Sequence, residues 1–356
     1  MSDQIATATA PFIAAARGEP VSRTPIWVMR QAGRYLPEYR AIRDKIDFLG
    51  LTRHPEYAAE VTLQPVRRFG MDAAILFADI MTPLEGMGVD VQFQGGPVLP
   101  DPIRSAADVA RVTALEPEEG VPFLLETVQR VAAELPPEVP LIGFAGAPFT
   151  LMCYLVEGRG SKDFVKARAF LRAEPAATHA LLDRLADGMA VYLEAQARAG
   201  ARALMIFDSW IGLLDRATFE AFERPAVERI VRHLRERVDV PLIYFPNQGG
   251  HLHDSIQGLD VDVIGVDWRI PLAEADANLG RGRYTLQGNL DPSLLFAPGP
   301  VLDEGVDRVL ASAAGLRGHI FNLGHGIDRH TDPDQLARLV DRVHAASVGA
   351  ASGGMA

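Results

Sequence analysis

Arg30 and Arg34 stand four residues apart in the run RQAGR, directly after the apolar stretch PIWVM. A guanidinium offers paired N–H donors whose spacing matches a carboxylate. On most proteins such a pair marks a solvated helix face. Here it follows a buried run, and Gly33 between the two allows close approach of a ligand or an unusual backbone, which favours binding of an acidic substrate.

Four further positions could take part in chemistry. Asp79 follows the apolar run AAILFA, where helix N-capping and a catalytic carboxylate are about evenly matched. Ser209, in FDSW, is as good an N-cap as a ligand on local grounds. Tyr154, in LMCYL, fits core filling, although a buried hydroxyl needs a partner. His325 lies between glycines in GHG after an apolar run, unlike the helical His179, His233 and His344. His251 and His253 in HLH read better as a helix start than as metal ligands. The stretch GRGSK at 158 to 162 lacks the spacing of a phosphate-binding loop and does not directly follow a strand.

These residues need a frame. Eight β-prone apolar runs recur along the chain, at 25–29, 73–77, 140–146, 203–207, 241–245, 262–267, 284–288 and 319–322. They are continuously apolar rather than alternating, as parallel strands covered on both faces are. Helical periodicity separates them, as in 177–200, 216–237 and 332–346. Eight strands alternating with helices predict an α/β fold, a single-domain (β/α)₈ TIM barrel over 1–347, with a disordered small-residue tail at 348–356. A doubly wound open sheet is the alternative, but no glycine fingerprint follows the first run. The longest excursion between strands, 84 to 138, contains VQFQGG, which suggests a short hairpin.

In such a barrel the loops after the strands line the active-site mouth. Polar residues fall there after every run: Arg30, Gln31 and Arg34; Asp79; Thr150 and Tyr154; Asp208 and Ser209; Asn247 and Gln248; Asp267; Asn289 and Asp291; Asn322 and His325.

Composition bounds the partners. With 48% hydrophobic and 23% charged residues, the 356-residue chain is an ordinary globular sequence. Its net charge of −11 opposes nucleic-acid binding, and if the substrate is a polyanion it must be drawn in by local arginines against the overall field. The single cysteine, Cys153, allows no internal disulfide and no thiolate-rich metal site. No signal peptide or long apolar span is evident, so a cytoplasmic location without membrane attachment is expected.

WVMRQAGRYLPEYR at 27 to 40 and GFAGAPFTLMCYLVEG at 143 to 158 resemble the two signatures of the uroporphyrinogen decarboxylase family. The likeness continues through TLQPVRRFGMDAAILFADIMTPLEGMG, IFDSWIG, VDW, LQGNLDP and FNLGHGI, and so covers most of the chain in order. It implies a homodimeric barrel that needs neither cofactor nor metal. Such an enzyme removes CO₂ from the four acetate arms of uroporphyrinogen III to give coproporphyrinogen III. Carried over by position, the family's site falls on Arg30, Arg34, Asp79, Tyr154, Ser209 and His325, with Gln31 beside them; Asp79 and Arg30 are the expected catalytic pair. Related barrels act as zinc-dependent methyltransferases, for which a single cysteine in an apolar segment is poor equipment.

Overall fold

A computed structural model describes residues 10–352, with side chains to residue 346. Seven of the eight expected runs form one parallel sheet. Its strands are β1 (Ala74–Ile75), β4 (Leu141–Gly146), β5 (Ala203–Asp208), β6 (Leu242–Pro246), β7 (Val263–Gly265), β8 (Thr285–Leu290) and β9 (His319–Leu323), hydrogen-bonded in that order. Neighbours pair in register, as Ile142 with Ala203 and Leu286 with His319. The strands of β4, β5 and β8 are buried along their whole length, with helices on the outside and side chains filling the interior. The expected hairpin is present as β2 (Gln92–Phe93) and β3 (Pro97–Val98).

The eighth run, 25–29, closes the ring in an irregular way. It makes one parallel bridge, Ile26 to Phe321, and no regular strand. Side chains extend this short ladder. Towards β1, Asp72 accepts from the Ile26 N–H at 2.8 Å, and the Gln31 amide accepts from Val28 N at 3.2 Å while donating to Ala73 O at 3.1 Å. Towards β9, Asn322 accepts from Met29 N at 3.0 Å. Every backbone group at the seam must find a partner, and these three side chains add to the backbone bonds from Trp27 N–H to Phe321 O, Phe321 N–H to Pro25 O and Asp72 N–H to Ile26 O. The result is a (β/α)₈ barrel.

Helices begin at proline where the missing N–H costs nothing, as at Pro122, Pro148 and Pro175. The helix expected over 216–237 is broken into Arg216–Thr218, a π turn at Phe219–Glu223, and Arg224–Arg235. Pro225 lacks the N–H that would continue the α register, and the wider turn absorbs the defect. It also turns Glu223 wholly into the core. The last helix spans Pro333–Ser352, and the tail expected at 348–356 falls at its margin and on residues 353–356, outside the described residues.

Candidate active site

A cavity of about 1170 Å³ opens at the C-terminal ends of the strands, where a barrel of this kind carries its chemistry. Arg30, Arg34, Asp79, Tyr154, Ser209 and His325 all line it. Gln31 does not. It is fully buried with its amide spent on the barrel seam, so its first task is structural.

The unusual backbone expected in RQAGR is at Arg30 itself, which holds a left-handed φ of 65°, and not at Gly33. A non-glycine residue in that region stores strain that the surroundings must hold in place. Gly326 makes room for it: a Cβ there would lie 2.5 Å from Arg30 Cδ.

Asp79 combines both of its expected roles. Its Oδ1 accepts from the Met81 N–H at 2.9 Å, and its own N–H meets the Thr82 hydroxyl at 3.3 Å, so it organises the start of the short helix Thr82–Gly86. Oδ2 has no hydrogen-bond partner among the described residues. Burial raises the carboxyl's pKa; the Met81 N–H and the Arg30 charge pull it back without cancelling the rise.

His325 meets the Trp268 ring edge-on at a centroid distance of 6.4 Å. Burial, reinforced by Arg30 and Arg269, pushes its pKa down to about 4, so the imidazole is neutral near pH 7. It is a hydrogen-bonding group there, not a cation. Tyr154 projects from the helix Pro148–Glu157, and burial raises its phenol pKa. Ser209 is held from behind, where Asn247 donates to its carbonyl at 3.0 Å.

Several strand-end residues brace the site instead of entering it. Asn289 donates to Asp267 O and Ile270 O, Asp291 caps Ser293 N, and Asp267 pairs with Arg269. Thr150 donates to Asp208 at 2.8 Å, and Tyr244 donates to the other oxygen of the same carboxylate, also at 2.8 Å. Burial pushes Asp208 up to about 7, and it raises the nearby buried Glu223 as well.

The residues missed by sequence reasoning are mostly apolar. Phe144, Phe207 and Phe245 line the cavity and stack edge to face along the strand ends, at 5.5 and 6.2 Å between neighbouring centroids. Gln196 fixes Phe144 by bonding both its N–H and its C=O, at 2.9 and 3.0 Å. In the sequence these rings are indistinguishable from core. Arg43, Trp210 and Arg329 also line the cavity. Four arginines therefore face three aspartates, Asp47, Asp79 and Asp328, in a chain whose net charge is −11. Asp47 and Asp328 are turned onto backbone N–H groups, at Gly50 and His330. Asp47 and Asp328 are exposed to solvent, whereas Asp79 is largely buried, with its Oδ2 unengaged by any donor among the described residues. Cys153 is fully buried, and among the described residues no group of three or more His, Cys, Asp or Glu could hold a metal ion.

The barrel is similar to a methyltransferase from Methanosarcina mazei (TM-score 0.78, 18% identity, 94% of this chain and 98% of the other). It is also similar to a putative vitamin-B12-independent methionine synthase from Listeria monocytogenes (TM-score 0.55, 13% identity, 95% and 98%). At these identities the likeness is one of fold. Two curated relatives, each named uroporphyrinogen decarboxylase, are far more similar in sequence. The one from Geobacter metallireducens is 48% identical over 94% of this chain and 98% of its own length, and the one from Syntrophotalea carbinolica is 48% identical over 94% and 96%. Residues 7–346 match the family model described as Uroporphyrinogen decarboxylase (URO-D), and the chain belongs to that family.

Proposed function

We propose that this chain decarboxylates the four acetate arms of uroporphyrinogen III to coproporphyrinogen III. The observation that carries the proposal is the largely buried Asp79 carboxylate, whose Oδ2 no donor among the described residues engages, in an arginine-lined, ring-floored cavity.

Each turn of the reaction consumes one proton: an acetate arm R–CH₂–COO⁻ plus H⁺ gives R–CH₃ plus CO₂. The departing electron pair needs a sink, which a cofactor often supplies. A pyrrole supplies its own. Protonation of the ring carbon bearing the arm gives a cation, the C–COO⁻ bond breaks into that cation, and the exocyclic carbon then takes the proton as the ring recovers.

Asp79 Oδ2 accepts the pyrrole N–H groups and offsets the developing cation. Its partner oxygen is already fixed by Met81 N, so little reorganisation accompanies the reaction. The raised pKa of the Asp79 carboxyl falls when the cation forms beside it. Arg30 and Arg34 hold substrate carboxylates, and Ser209, Tyr154 and neutral His325 add hydrogen bonds. A guanidinium with a pKa above ~12 is a poor acid, so the proton comes from water or from a carboxyl that Arg30 holds. The phenylalanine floor accepts the apolar faces of the macrocycle.

A homodimer and a cytoplasmic location belong to the same proposal and are supported by family membership. No helix among the described residues is long and apolar enough to cross a membrane. Sedimentation at twice the 38.6 kDa chain mass tests the assembly. Anaerobic incubation of metal-stripped protein with uroporphyrinogen, then oxidation and chromatography by carboxyl count, tests the activity. Successive seven-, six-, five- and four-carboxyl species support it, and unchanged eight-carboxyl substrate overturns it.

A further inference from the structure

Behind Tyr154 lies a cluster of rings that the reaction above does not use. Tyr154, Phe164 and Trp210 are mutually in contact, with centroids 5.4, 6.4 and 4.7 Å apart. Phe164 is fully buried in a left-handed conformation, φ 42°, and its N–H is held by the Ser161 hydroxyl at 3.2 Å. Two residues beyond the GRGSK stretch, the chain thus places a strained residue against Trp210. The Trp210 backbone is fixed as well: its N–H donates to Thr150 Oγ at 3.2 Å, and that hydroxyl donates onward to Asp208 at 2.8 Å. So much fixing leaves one group unsatisfied. The Trp210 indole N–H is buried without a close hydrogen-bond partner among the described residues, a costly state for a donor. Tyr154 is the polar neighbour in the cluster: its ring meets Trp210 edge to face at 6.4 Å between centroids, and the indole lowers the phenol's pKa against the effect of burial.

We propose that Trp210 is a positioning residue: its indole N–H donates to the Tyr154 oxygen and thereby commits Tyr154's own O–H to a substrate carboxylate. A hydroxyl has one proton to donate and two lone pairs. With one lone pair occupied from the protein side, the remaining proton points into the cavity. The inference rests on the carboxylate-binding role proposed for Tyr154.

Trp210→Phe keeps an aromatic ring in the cluster and removes the donor. The expected result is a KM for uroporphyrinogen raised on the order of tenfold, the worth of one such hydrogen bond, with kcat within about threefold because the contact is made equally in ground and transition states. In a Tyr154→Phe background the same change has less than about a twofold effect, since the two residues act as one unit. Independent effects that multiply would mean a merely structural role for Trp210 and overturn the proposal. Should Trp210→Phe fail to fold, Thr150→Val releases the same tryptophan through its backbone, and Thr150→Ser restores the hydroxyl. The valine variant is expected to raise KM and the serine variant to recover it; equal KM in both overturns the proposal. If Tyr154→Phe alone leaves KM unchanged while wild-type protein turns over uroporphyrinogen, both this inference and the Tyr154 assignment fall, and the decarboxylase reading stands.

Discussion

Gly326 and Arg30 occupy space that admits only one side chain. A Cβ on Gly326 would lie 2.5 Å from Arg30 Cδ and 3.0 Å from both Cγ and Nε. Arg30 is itself held in a left-handed backbone, so it cannot relax by a small shift of its main chain alone. Gly326→Ala is therefore expected to push the guanidinium off its site, raising KM by roughly 10- to 100-fold, the worth of a charge-assisted bond, with a melting temperature close to wild type. Steady-state kinetics together with a thermal melt check this; an unchanged KM would show that Arg30 is not where the substrate binds.

Gln31 separates a brace from a ligand. Gln31→Leu leaves Val28 N and Ala73 O buried without their partner at the barrel seam. At about 1–3 kcal/mol for each of the two orphaned groups, a loss of roughly 2–6 kcal/mol of stability is expected. Denaturant unfolding measures it. A variant that keeps full stability but loses substrate affinity would reverse the assignment.

His325 should not titrate where an ordinary histidine does. Its pKa is depressed to about 4 by burial and by the Arg30 and Arg269 charges. The neutral ring is the folded form, so its contribution to stability is lost as pH falls from about 6.5, the ordinary value, towards 4. Ring-proton NMR, assigned with a His325→Gln variant, is expected to show a midpoint near 4; a midpoint at about 6.5 contradicts the described environment.

Asp72 ties the C-terminal helix and the closing segment to the barrel, through His344 at 2.8 Å, Ile26 N at 2.8 Å and Arg23. Burial opposes its ionisation, yet the His344 and Ile26 bonds and the two positive partners outweigh that and lower its pKa. A carboxylate with a depressed folded pKa stabilises fully above its unfolded value of about 3.9, and that contribution is lost as pH falls through the folded value. Asp72→Asn is expected to lower stability at pH 7 and to flatten the acid limb of a melting-temperature profile below about pH 4. An unaltered acid limb would mean the ion pairs do not form in solution.

Much of this architecture was legible in the sequence because parallel strands buried on both faces leave continuous apolar runs, and seven of the eight became strands. The run at 25–29 carries the same apolar signal but closes the barrel through side chains, which no run of hydrophobicity reports. The helix at 216–237 was legible as periodicity, and its π turn was not, because the effect of Pro225 depends on the register it interrupts. At the site, Arg30, Arg34, Asp79, Tyr154, Ser209 and His325 were found where strand ends put them, and all six meet at one cavity. Gln31 sits in the same motif as the ligand-facing arginines, and nothing in the sequence separates it from them, although its amide faces the seam. Phe144, Phe207 and Phe245 fall inside the apolar runs and carry no signal of their own, since a ring at the end of a strand is core to its neighbours and floor to a ligand.

The measurement closest to the central claim is turnover by Asp79→Asn, with products resolved by carboxyl count and porphyrinogen binding followed in parallel. The asparagine side-chain oxygen can still accept from Met81 N, so the fold is expected to persist within about 1 kcal/mol of wild type. Loss of the charge facing the pyrrole cation is expected to lower kcat on the order of 10²- to 10³-fold while the eight-carboxyl substrate still binds. A folded Asp79→Asn enzyme that delivers four-carboxyl product at near wild-type rate would contradict the role given to Asp79 and, with it, the mechanism.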